Sequence, residues 1–308
     1  MTLRVAIVGL GKIARDQHVP SIADVDGVEL TAVASRNADQ DGVRNFATIE
    51  ELLSEPALFD AVALCTPPQV RHEQALLALS AGKHVLLEKP PGATVSEIAP
   101  LVALAVEKNV TLFATWHSRF APAVEPARRF LVERGLRSVH IEWKEDVRKW
   151  HPGQAWIWEP GGLGVFDPGI NALSIATAIL PRSVYLTSSE LSFPENRAAP
   201  IAADLRFHDA SGLDVTAEFD WRETEGETWN IHVETDRGRL SVRDGGKRLV
   251  LDGEVLVDEP DAEYRGIYRR FAELIAAGGS DVDLTPLQHV ADAFLLGRRH
   301  VVEAFVEA

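Results

Sequence analysis

The sequence predicts two domains: an α/β domain with a doubly wound parallel sheet, then an α+β domain with a large, mainly antiparallel open sheet. Three observations predict this. The chain has 308 residues, beyond the roughly 250 at which a single hydrophobic core stops growing. Strand-like and helix-like segments alternate as far as about residue 120, and strand-like segments follow one another beyond it. The near-continuous apolar character of the early strands calls for helices on both faces of their sheet. Domains are therefore expected at 1–120 and 121–308.

In the first domain, Leu3 to Val8 is an apolar, β-branched run ending at a glycine, and Glu29 to Ala34 is a second strand with one helix-length segment between them. Asp60 to Cys65 reads as a third strand, Gln69 to Ala81 as a helix closed by Gly82, and His84 to Leu87 as a fourth strand. Ser96 to Lys108 and Thr111 to Ala114 continue the alternation. In the second domain, Ser138 to Lys144 alternates, with Val139, Ile141 and Trp143 on one face and His140, Glu142 and Lys144 on the other. Further strands are expected at Tyr185 to Ser192, Ile201 to Phe207, Asp214 to Trp221, Thr228 to Thr235, Arg239 to Arg243 and Arg248 to Leu251. Turn signals such as Asp244-Gly245-Gly246 and Asp252-Gly253 mark hairpins. Helices are expected at Gly169 to Ile179, Arg265 to Ala277 and Pro286 to Val306, the last packing back on the first domain with Arg298-Arg299-His300 as its basic end.

The bulk properties exclude several function classes. Apolar residues make up 46% and charged residues 25% of the chain, the composition of a globular protein rather than a disordered one. A formal charge of -15 repels nucleic acid and anionic membranes, whereas a small neutral substrate is indifferent to it. Cys65 is the only cysteine, so no internal disulfide can form, and its apolar neighbours make it a buried strand residue. No basic stretch leads into an apolar leader, and no apolar run reaches the roughly 18 residues of a membrane span. A cytoplasmic protein is expected.

Val8-Gly9-Leu10-Gly11-Lys12-Ile13-Ala14 follows the first strand and matches the turn of a dinucleotide-binding Rossmann unit. Gly9 permits the tight turn, Gly11 lets backbone approach a pyrophosphate, and Ala14 lets helix and strand pack closely. The helix N-terminus, with Lys12 and Ile13, then faces the phosphates. At the end of the second strand, Ser35-Arg36 stands where an NAD-specific site carries a carboxylate; hydroxyl and guanidinium suit a 2′-phosphate. NADP is the expected cofactor, with NAD possible. Thr66 and Pro67, then His72, are placed on the nicotinamide side.

Leu86-Leu87-Glu88-Lys89-Pro90 ends a parallel strand, on the side where such sheets bind ligands. Lys89 thereby faces the cofactor crevice, and a cis bond is expected before Pro90. Gly161-Gly162 leads into Asp167-Pro168-Gly169-Ile170-Asn171; if a helix opens at Asp167, Asn171 shares its face, and the alternative is that Asp167 is only a helix cap. Removing a hydroxyl proton needs a base, and Asp167 and Lys89 are the two candidates. Asn171 can donate and accept but not act as the base. No metal is expected: ten histidines include no metal-binding helical pair, and Cys-x-x-Cys is absent.

The glycine turn, Glu88-Lys89-Pro90 and the Gly161-Gly162 to Asn171 stretch together resemble the Gfo/Idh/MocA family of oxidoreductases, over essentially the whole chain. Many members carry histidine where this chain has Asn171. Residues 12–18, 114–119 and 143–153 look like the family's bacterial L-arabinose and D-galactose 1-dehydrogenases. The resemblance implies oxidation of an aldopyranose such as L-arabinose, D-galactose or D-fucose at C1 to the aldonolactone. It also implies that Glu145 and His151 bind sugar hydroxyls, with His117 and Trp150 in the same site. Trp150, Trp156 and Trp158 are equally readable as core aromatics, and His18 is placed near the cofactor. Two other readings stay open: a dehydrogenase of another polyol such as an inositol, and a cofactor-binding sensor without turnover. A homodimer through the free face of the second sheet is expected.

Overall fold

The computed structural model describes residues 2–307. It divides into two compact units, Met1–His117 with Glu263–Leu284, and Ser118–Ala262 with Thr285–Ala308. The first unit holds six parallel strands, β1 (Leu3–Val8), β2 (Val28–Ala34), β3 (Arg44–Phe46), β4 (Ala61–Leu64), β5 (His84–Leu87) and β6 (Leu112–Ala114). Their order, β3-β2-β1-β4-β5-β6, changes direction between β1 and β4. That switch point is where open α/β sheets bind ligands, at the carboxyl ends of the strands. All of β4 is buried, and the core joins it to Leu79 on helix Pro68–Ser80 and to Leu101 on helix Ile98–Lys108.

Two short elements, β3 and helix Ile49–Leu53, escape the sequence patterns because neither spans two full periods. The segment that returns to this unit is Glu263–Leu284, with helix Glu263–Ala277. Beyond it Asp281 bridges β6, its carbonyl accepting Ala114 N–H at 2.9 Å.

The expected C-terminal helix over 286–306 is corrected. The helix is Thr285–Leu296, grouped with the second unit, and the chain continues as a strand, Arg298–Val302. Gly297 breaks the helix, and the residues beyond it are drawn into extended pairing by partners on the neighbouring strand: His300 meets Glu190 at 2.5 Å and Arg299 lies over Phe193. Arg298, Arg299 and His300 are thus strand residues, not a helix end.

The second unit adds β7 (Leu136–Lys144), β8 (Val184–Pro194), β9 (Ala202–Asp209), β10 (Asp214–Asp220), β11 (Thr228–Thr235), β12 (Gly238–Arg243), β13 (Arg248–Leu251), β14 (Glu254–Asp258) and β15 (Arg298–Val302). Their order is β14-β13-β12-β11-β7-β10-β9-β8-β15, antiparallel except for the β7/β10 and β8/β15 pairs. Val139, Ile141 and Trp143 are buried, as alternation predicts, with Val215, Ala217 and Phe219 beside them on β10. Helix Phe166–Ile179 covers this face, and the Phe166 ring stands edge-on to Phe219 at 5.9 Å. The opposite face carries His140, Glu142, Lys144 and Glu218 in an ion-pair network.

Candidate active site

In the first unit, Gly9 turns the chain between β1 and the helical run 12–24. Its φ is +90°, and a Cβ there would stand 2.7 Å from Thr66 Cγ2, so only glycine fits at the switch point. No atom lies within 4 Å of where a Gly11 Cβ would be, which leaves that backbone open to a phosphate. Ala14 is fully buried. Ala34 accepts Gly9 N–H at 2.9 Å, bringing the end of β2 beside the turn, with Ser35 half-buried and Arg36 exposed. These residues fit a dinucleotide: the turn, the open backbone and a guanidinium at the ribose end are all in place. Lys12 pairs with Asp16, and Ile13 is 38% exposed at the helix start.

The helix is not regular. Ala14–His18 is a π-helical turn, which sequence patterns cannot reveal, and it turns His18 fully inward. His18 Nδ1 meets Tyr268 Oη at 2.7 Å, and Nε2 meets Glu88 Oε1 at 3.3 Å. Tyr264 donates to the same Glu88 oxygen at 2.6 Å, while Glu88 Oε2 accepts the Lys89 N–H. His18 is therefore a buried support beneath Glu88. Burial opposes a charged His18, but Cys65, Tyr268 and Glu88 raise its pKa well above the ordinary value. Burial would raise Glu88, yet His18, His117 and Tyr264 hold it well below the usual carboxylate range. Burial and the Glu88 charge push the Tyr264 hydroxyl up.

The Lys89-Pro90 bond is cis, as expected. The buried Arg71 guanidinium, unremarked in the sequence, donates to the carbonyls of Thr66, Glu88 and Pro90 and so ties the β4 and β5 ends together. Pro67 leads into its helix, and Thr66 Oγ1 donates to Gln74 at 2.5 Å. His72 Nδ1 donates to the Glu97 carbonyl at 3.0 Å. Cys65 is half-buried at the end of β4. His117 meets Glu263 at 2.5 Å and stacks on Tyr264. Burial would lower its pKa, but Glu263 and then Glu88 raise it, against Lys89.

In the second unit, Asp167 lies in the first turn of helix Phe166–Ile179, past the N-cap Val165, so it is not a cap. It is 3% exposed, and His151 Nε2 stands 3.3 Å from its Oδ2. The turn that delivers it needs glycine: a Cβ at Gly162 would be 2.2 Å from the Trp156 carbonyl oxygen. His151 Nδ1 also meets Gln154 Oε1 at 3.4 Å, and its ring leans on Trp221 at 5.2 Å. Asn171 is half-buried on the same helix, one turn beyond Asp167. Glu145 is buried and accepts two indole N–H bonds, from Trp229 at 2.9 Å and Trp221 at 3.3 Å. Trp150 is half-buried, donates to Glu227 at 2.8 Å and leans on Trp229. Trp158 is a core residue packed on Trp221 and Phe305, and Trp156 is half-buried. A buried carboxylate beside an imidazole can take a proton from a substrate hydroxyl and share it.

Residues 3–115 match the family described as "Oxidoreductase family, NAD-binding Rossmann fold". The chain is 47% identical over 305 residues to a galactose 1-dehydrogenase of Pseudomonas fluorescens, covering 99% of both. Among solved structures, a D-galactose-1-dehydrogenase from Rhizobium etli matches with TM-score 0.95 and 59% identity, over 99% of this chain and 98% of that one. A 3-ketoreductase from Actinomadura kijaniata shares the fold, with TM-score 0.84 at 20% identity over 99% and 100% of the two chains.

Proposed function

Because the chain belongs to the Gfo/Idh/MocA family and is an oxidoreductase, we propose that it oxidises an aldopyranose at C1 to the aldonolactone. D-Galactose, L-arabinose and D-fucose are the substrates, sharing their configuration at C2, C3 and C4. The observation that carries the reading is the buried Asp167 paired with His151 in a chain similar end to end to galactose 1-dehydrogenases.

When bound, the nicotinamide cofactor supplies the hydride acceptor. Gly9 and Gly11 admit its pyrophosphate, and Ser35 and Arg36 hold the 2′-phosphate, so NADP is preferred over NAD. Asp167 accepts the C1 hydroxyl proton, and the His151 imidazole beside it orients the carboxylate. The Lys89 ammonium holds the C1 oxygen and offsets its developing negative charge. Asn171, His117, Glu145 and Trp150 orient the remaining hydroxyls and the apolar sugar face. The reading extends to a homodimer formed through the free face of the nine-stranded sheet.

Initial rates with a panel of aldoses and of inositols, each with NADP and with NAD, test this. Turnover of the three named sugars, faster with NADP, is expected. Inositol turnover alone would transfer the chemistry to another polyol, and cofactor binding without turnover would make the protein a sensor.

A further inference from the structure

The face of the nine-stranded sheet that helix Phe166–Ile179 leaves uncovered carries an unusual arrangement of charge. Register sets Glu142 on β7 directly opposite Glu218 on β10, Glu218 opposite Asp204 on β9, and Asp204 opposite Glu190 on β8. Like charges directly opposite each other destabilise a sheet, so a row of four carboxylates calls for cations. Lys144 supplies one, bonding Glu218 Oε2 at 2.8 Å with Glu142 Oε1 at 3.8 Å. The inner Glu218 oxygen points elsewhere.

It faces His140. His140 on β7 and His232 on β11 are also directly opposed. The Nδ1 of His140 is held by the Thr216 hydroxyl at 2.9 Å, and that of His232 by the Ser241 hydroxyl at 2.8 Å. Both rings are thereby fixed with Nε2 turned to the carboxylates. His140 Nε2 lies 3.8 Å from Glu142 Oε1 and 4.0 Å from Glu218 Oε1, and His232 Nε2 lies 3.9 Å from Glu142 Oε2. These separations are too long for hydrogen bonds. Those among His140, Glu142 and Glu218 are the separations of ligands around a shared ion, because bonds of about 2.1 Å to zinc place two ligand atoms at most about 4.2 Å apart. Imidazole oriented through its second nitrogen is the usual outer support of a metal-bound histidine.

We infer that His140, Glu142 and Glu218 form a binding site for one divalent transition metal of the zinc class, tying β7 and β10 together. An imidazole with two carboxylates favours such an ion over calcium or magnesium, which take oxygen ligands alone. The ion has no part in the proposed sugar chemistry; it offsets the acidic row from within the sheet.

Calorimetric titration of the full chain with Zn²⁺ tests this, with Co²⁺ absorbance reporting nitrogen and oxygen ligation. One ion per chain is expected. His140→Ala should weaken binding at least tenfold, with an unchanged thermal unfolding midpoint in chelator as the folding control. Thr216→Val should weaken it by about tenfold through loss of the outer support, and Lys144→Met should tighten it by removing the competing cation. Absence of stoichiometric binding by the unaltered chain, or equal affinity in His140→Ala, would overturn the site.

Discussion

The two sheets carry their ionisable groups in opposite ways. In the parallel sheet, both faces are packed and the buried ionisable groups sit at the carboxyl ends of the strands, where Glu88 and His18 are shielded and held by Tyr264 and Tyr268. In the nine-stranded sheet one face is packed, and the other spreads half-exposed carboxylates, imidazoles and Lys144 across four strands. Sheet architecture thus decides where strong electrostatics can live. A doubly covered sheet concentrates it at the strand ends, beside the cofactor turn, whereas an open sheet disperses it into screened pairs worth about 1 kcal/mol or less each.

The comparison can be broken at several points. The largest effect is expected at Asp167, a buried carboxylate of the second unit. Asp167→Asn should lower kcat by roughly 10²- to 10⁴-fold with cofactor affinity kept, as general-base catalysis implies; steady-state kinetics with a separate cofactor titration decides it. Arg36→Ala should reduce the NADP-to-NAD ratio of kcat/KM by about 10- to 100-fold, the worth of hydrogen bonds to a charged group. An unchanged ratio would remove Arg36 from cofactor selection.

Stability comes next. Tyr264→Phe deletes the hydroxyl that donates to buried Glu88 and should cost about 1–3 kcal/mol, measured by denaturant unfolding. Arg206→Ala breaks a pair with Asp214 that is exposed on the open face of the single chain and should cost the monomer under about 1 kcal/mol. Equal costs would erase the contrast between the sheets.

The smallest effect is one of pH. Glu88 is depressed on folding, so its contribution is present above its ordinary 4.5 and is lost as pH falls through the folded value. His18 is raised on folding, so its contribution is complete below 6.5 and is lost as pH rises through a folded value well above that. The thermal midpoint should therefore fall from neutral to alkaline pH more steeply in the unaltered chain than in His18→Gln. Parallel curves would show that His18 is not the titrating group.

What was legible in the sequence was local. The glycine turn, the Glu88-Lys89-Pro90 strand end and the alternation of Ser138 to Lys144 each sit within a few residues, and each appears where the pattern put it. The supports are distant along the chain. His18 meets Tyr268 across 250 positions and Glu88 meets Tyr264 across 176, so no spacing signals them. The π-turn at Ala14–His18 hides them further by rotating His18 inward. Asp167 was readable as cap or base, and only folding sets it past the cap and beside His151. His140, Glu142 and Glu218 of the open face lie on two strands, so the absence of a helical histidine pair could not reveal them. The overlong C-terminal helix failed because Gly297 and the partners on β8 outweigh helical periodicity.

Oxidation at C1 is tested most directly with D-galactose carrying deuterium at that carbon. The account predicts that the label appears on the reduced nicotinamide, that the product is the unlabelled lactone, and that Asp167→Asn suppresses both. Turnover that leaves the deuterium in the sugar product would contradict it.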